Sequence, residues 1–87
     1  MERAKEFTTS DLYLTSAISI LLKIKPDFIV KNNRTLFVFQ VSNDLYQAMS
    51  DFNSGVAINA YDFSQMIKRM RSEMITRRDM KNNNGRH

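Results

Sequence analysis

Hydrophobic positions recur every three to four residues in three stretches of this chain and every second residue in a fourth, with polar segments between them. The first helical stretch places Leu14, Ala17, Ile18, Leu21 and Ile24 at helical spacing. Thr15, Ser16 and Ser19 form a small polar face that lets another element approach closely. Thr8 and Asp11 stand in the Ser/Thr-x-x-acid spacing in which hydroxyl and carboxylate satisfy each other's backbone donors, and Phe7 and Leu12 occupy the positions of a hydrophobic staple. The helix start is read there. Pro26 disfavours helix at Lys25, so the element is expected over about 9–24.

From Phe28 the period changes to two, with β-branched and aromatic residues in Phe28-Ile29-Val30 and in Leu36-Phe37-Val38-Phe39. Lys31-Asn32-Asn33-Arg34 between them predicts a β-hairpin whose turn centres on Asn32-Asn33 or on Asn33-Arg34, because Asn tolerates positive φ. The second choice pairs Val30 with Phe37 and Phe28 with Phe39. It collects Phe28, Val30, Phe37, Phe39 and Val41 on one face and Ile29, Leu36 and Val38 on the other. A sheet apolar on both faces needs two covers, and where the helices of one chain do not supply both, a second subunit must.

Ser42 or Asn43 caps a second helix, in which Leu45, Ala48, Met49 and Phe52 fall on one stripe, and Asn53-Ser54-Gly55 ends it. Val56-Ala57-Ile58 is long enough only for a short third strand. Asn59 and Asp62 repeat the capping arrangement, and Phe63, Met66, Ile67, Met70 and Met74 line the inner face of a final helix. The expected fold class is therefore α+β, in the order α-β-β-α-β-α, with helices over about 9–24, 43–53 and 60–77. Residues 1–78 form a single domain frayed over 1–6, and 79–87 read as a polar, basic, disordered tail.

Between its first capping signal and its last helix the chain resembles a family of short bacterial and phage-borne proteins grouped as a domain of unknown function. The resemblance rests on Phe7-Thr8-Thr9-Ser10-Asp11-Leu12-Tyr13-Leu14, on Phe37-Val38-Phe39 and on Ser54-Gly55-Val56-Ala57-Ile58-Asn59, and it spans about residues 7–75. The family more often shows a plain Asn-Gly where Asn53-Ser54-Gly55 stands here, and commonly Ala at the place of Thr15. The resemblance implies a fold and a bacterial or mobile-element origin. It brings no catalytic residues with it.

Composition narrows the classes. At 87 residues and 10.2 kDa there is material for one core, and 43% apolar with 25% charged residues is ordinary globular usage. A chain this small buries only about 60–65% of its unfolded surface, and with no cysteine it has no disulfide to compensate, which makes dimerisation an expectation in its own right. The apolar run Ile20-Leu21-Leu22 is stopped by Lys23, so a membrane span is not expected and the chain reads as soluble and cytoplasmic.

The net charge of +4 is unevenly placed: residues 1–67 hold six basic and seven acidic side chains, and residues 68–87 hold seven and two. The candidate nucleic-acid contacts are therefore Lys68, Arg69, Arg71, Arg77, Arg78, Lys81 and Arg86, set against the plain alternative of a solvated helix face. Lys31 and Arg34 offer a smaller basic point at the hairpin tip. No helix-turn-helix, zinc-finger or RNP-like pattern accompanies them, and Phe37 and Phe39 read as core before they read as a base-stacking platform.

Catalysis is not expected. The one histidine, His87, is the last residue, the carboxylates are used in caps or stand singly, and two glycines cannot build a phosphate loop. No cofactor, metal or small-molecule substrate is expected. What remains is a non-catalytic interaction protein, self-associating as a homodimer or engaging a host protein, with Ile29, Leu36 and Val38 as its interface and the Met66, Met70 and Met74 stripe as core or docking face.

Overall fold

The computed structural model describes residues 5–83. The elements are β1 (Glu6–Thr9), α1 (Leu12–Leu22), β2 (Asp27–Lys31), β3 (Arg34–Gln40), α2 (Asn43–Asn53) and α3 (Ala60–Asn83). The α+β class holds, with three helices on a three-stranded antiparallel sheet of order β1-β3-β2. The chain order is β-α-β-β-α-α, which corrects the expected one at two places.

The first correction is at the start. Residues 6–9 are not frayed and do not open a helix: Phe7 pairs with Phe39 and Thr8 with Val38, and the Val41 amide donates to the Lys5 carbonyl at 2.9 Å. That pairing carries the strand on through Thr9, so no helical turn follows Thr8 for it to cap. Asp11 is the cap instead, its carboxylate accepting from the Leu14 amide at 3.0 Å, while Thr9 Oγ1 accepts from the Asp11 amide at 3.0 Å. α1 also stops earlier than expected, at Leu22, with Lys23 at φ 56°.

The second correction is at Val56-Ala57-Ile58, which is not a strand. Gly55, at φ 87°, sends its amide to the Phe52 carbonyl at 3.1 Å, and the Val56 amide reaches the Asp51 carbonyl at 2.9 Å. These two bonds make a Schellman motif. The following residues run at once into the cap of α3, where Asn59 Oδ1 accepts from the Asp62 amide at 3.0 Å. Both edges of β3 are occupied by β1 and β2, so no place beside it is left for this segment. α2 is capped by Ser42, whose Oγ accepts from the Leu45 amide at 3.0 Å. α3 runs through Asn83, past the expected end at 77 and into the segment read as tail.

The hairpin turn is Asn32-Asn33, both at positive φ (53° and 66°), with Lys31 opposite Arg34 and Phe28 opposite Phe37. This is the other of the two turn positions, and it moves every pair by two residues relative to Val30 opposite Phe37. A slip of two keeps each side chain on its face, whereas a slip of one would exchange the faces. Phe28, Val30, Phe37 and Phe39 accordingly share one side, joined by Phe7 from β1.

That side carries the core. Ile18 of α1, Leu45 and Ala48 of α2 and Met70 of α3 close over Phe37 and Phe39, all nearly or fully buried. The methionine stripe of α3 is used here, with Met66 and Met74 packed on the same cluster. α1 lies between α2 and α3, which buries its polar face of Thr15, Ser16 and Ser19. Ser16 Oγ donates back to the Leu12 carbonyl at 2.8 Å, and Thr35 Oγ1 ties sheet to helix by donating to the Met74 carbonyl at 2.8 Å.

The caps yield a direct expectation. Asp11→Ala and Asn59→Ala should each lower stability by about 0.5–2 kcal/mol, read as a lower urea midpoint, because each orphans backbone donors. Thr8→Ala, at an exposed edge position, should stay within about 0.5 kcal/mol. A shift for Thr8→Ala without one for Asp11→Ala would return the cap to Thr8.

Candidate functional site

The helices pack on the face that carries Phe37 and Phe39, and among the described residues no helix packs on the other. On that second face the ladder sets Thr8, Val38 and Asp27 in one row and Leu36 beside Ile29 in the next. Ile29, Leu36 and Val38 are thus brought together as expected from their period, and none of them belongs to the core cluster. Ile29 is 44% exposed; Val38, on the central strand between two neighbours, is only 5% exposed.

Charge frames this strip. Glu6, beside Gln40, and Asp27 lie at one end of the strands, and Lys31, paired with Arg34, lies at the other. Gln40 Nε2 donates to Glu6 Oε2 at 3.4 Å. Arg34 and Gln40 are the two ends of β3, so the basic and acidic ends are about 20 Å apart.

The basic residues of α3 do not form one surface. At 3.6 residues per turn Arg69 and Arg71 stand about 160° apart, while Lys68, Arg71 and Arg78 fall within about 80° of one another. Arg78 reaches the hairpin tip, lining a shallow depression with Asn32, Asn33, Arg34 and Ile75. It also meets Asp79 at 3.7 Å, an exposed pair of little energetic weight. Arg77 is half-exposed and folds over the sheet edge: its guanidinium lies 4.6 Å from the centre of the Phe28 ring, and Glu73 Oε1 is 3.4 Å away. Position 77 follows Met70 by seven residues, so it sits on the stripe that faces the sheet. The side chain of Lys81 and all of Arg86 lie outside the described residues, as does His87.

Arg69 and Arg77 instead open onto a cleft of about 320 Å³ between α3 and the α1–β2 connection, with Lys25 across from them. Sequence reasoning missed this site. The one signal available was the spacing Arg69-x-x-x-Glu73-x-x-x-Arg77, which lines up three charges along a helix. Nothing local says that Lys25 and Phe28 face them.

Among the described residues no three His, Cys, Asp or Glu side chains converge on a point, and no helix is long and apolar enough to cross a membrane. No family model, no curated protein and no solved structure matches this chain.

Proposed function

We propose that the chain is a non-catalytic interaction module that self-associates as a homodimer through the uncovered sheet face. The observation that carries this reading is the arrangement of that face: an apolar strip of Ile29, Leu36 and Val38 with carboxylates at one end and cations at the other. Two copies meeting face to face are related by a two-fold axis lying in the interface. An axis along the strands would set like charges together. An axis across the strands sets Glu6 and Asp27 of one copy against Lys31 and Arg34 of the other, so the face is complementary to itself in that orientation.

Size decides how strong such a dimer is. Three strands about 4.8 Å apart and about 20 Å long give a footprint of about 300 Å². That is well below the about 800 Å² per partner of a standard interface, which puts the association in the weak, concentration-dependent class. Light scattering should therefore report a mass rising towards two chains at high micromolar concentration. Ile29→Lys should hold it at one chain without loss of fold, because that side chain is already half exposed. A wild-type mass of one chain throughout would remove the proposal.

A second reading has its own observation: the hairpin tip and α3 bring Arg34 and Arg78 to one depression, with Arg71 and Lys68 on the same side of the helix. This supports phosphate contact by a smaller group than the seven residues first singled out. If nucleic acid is the partner, the protein retains it at low salt, and changing Arg34, Arg71 and Arg78 to Gln flattens the salt slope by about three units. Absence of retention by the wild type leaves self-association alone.

A further inference from the structure

The cleft between α3 and the α1–β2 connection belongs to neither reading. Its floor is apolar, made by Phe28 and Pro26 from the sheet side and by Met66 and Met70 from α3. Methionine thioethers are flexible and polarizable, so such a floor adapts to an alkyl chain or a ring. Its rim carries Lys25, Arg69 and Arg77 against one carboxylate, Glu73, and so is positive on balance. Arg77 has Glu73 at 3.4 Å, whereas among the described residues neither Lys25 nor Arg69 has a carboxylate within 4.0 Å.

Two hydroxyls of α1, those of Thr15 and Ser19, are buried without a partner among the described residues, and Ser19 is the one beside the cleft. Ser19 lines the cleft and is 3% exposed, yet its Oγ has no hydrogen-bond partner among the described residues. Buried hydroxyls are nearly always satisfied, and its neighbour Ser16 finds a backbone carbonyl one turn back. An apolar cleft rimmed by Lys25, Arg69 and Arg77, with Glu73 the one carboxylate among them, has the composition of a small-molecule site: apolar lining with a few convergent polar groups.

We propose that this cleft binds a small amphiphilic carboxylate, an unbranched or cyclic hydrocarbon of about ten carbons bearing one acid group. The hydrocarbon lies on Met66, Met70 and Phe28, and the carboxylate is held at Arg69 and Lys25. The planar guanidinium of Arg69 offers two parallel donors to such a group, which a neutral alcohol cannot accept in the same way.

The test uses the full chain at neutral pH with sodium decanoate below its micelle concentration, followed by amide chemical shifts. Decanoate should shift Ser19, Ile24, Phe28, Arg69 and Met70 in a saturable way, with no change at Ile29, Leu36 or Val38. The pair Lys25→Gln and Arg69→Gln, both exposed and so without cost to the fold, should weaken the affinity about tenfold or more. 1-Decanol should bind the wild type at least about tenfold more weakly than decanoate. Shifts that fall on the sheet face, no saturable shift at low-millimolar decanoate, or equal binding of decanol and decanoate would each overturn the proposal. So would unaltered affinity in the double variant. Mass measurements at the same decanoate concentration keep this test separate from that of the dimer.

Discussion

Replacing Phe37 by Ala is expected to lower stability by about 3–5 kcal/mol. A chain of 87 residues has about 4–13 kcal/mol in total, so the change removes at least about a quarter of its stability. The size of the effect follows from position. Phe37 is fully buried at the centre of the middle strand, its ring 5.6 Å from that of Phe28, and helical side chains from α1, α2 and α3 close over the same cluster. No one element can shift to fill the space that Ala would leave, because each is also held by the others. Urea denaturation followed by circular dichroism gives the value. A loss under about 1 kcal/mol would mean that the core is less tightly packed around β3 than the burial of Phe37 implies.

Reversing the basic end of the open face should abolish the dimer, and reversing the acidic end as well should restore it. Lys31→Glu with Arg34→Glu makes both ends negative, so either orientation of two copies sets like charges together over an apolar strip too narrow to hold them. Adding Glu6→Lys and Asp27→Lys exchanges the ends and recreates the complementary pattern with opposite signs. All four side chains are exposed, so the fold tolerates the changes. Light scattering at high micromolar concentration should read one chain for the double variant and a mass rising towards two for the quadruple. A quadruple variant that stays monomeric would show that the pairing is not governed by these charges. Raised salt should weaken the wild-type dimer in the same experiment, since exposed pairs are screened beyond about 10 Å at 0.1 M.

Two helix starts show where sequence reading succeeds and where it fails. Asn59-x-x-Asp62 and Thr8-x-x-Asp11 carry the same local signal, and the first is a cap while the second is not. The difference comes from residues about thirty positions away. β3 offers a free edge to Glu6–Thr9, and once Thr8 is paired opposite Val38 the helix can begin only after Asp11. The small polar stripe of α1 was legible as a place of close approach, because spacing alone shows it; that α1 packs against both α2 and α3 was not. The candidate interface residues were legible for a similar reason, and the cleft was not, since Lys25 and Arg69 stand 44 positions apart in the chain.

The amino-acid pattern by itself determined which residues share a face. Period two assigns Phe28, Phe37 and Phe39 to one side and Ile29, Leu36 and Val38 to the other, and this assignment survives the two-residue change of register because it depends only on parity. It likewise determined the existence of the hairpin, the α3 cap and the methionine stripe, and narrowed the α2 cap to Ser42 or Asn43, all of which rest on contacts within a few residues. The tertiary structure alone decided the pairing of β1 with β3, the division of the α3 basic residues between two sides, and the meeting of Lys25, Ser19 and Arg69 around one cleft. Each of these depends on pairings between distant segments, whose free energy lies in shared burial and is not written in the local sequence of either partner.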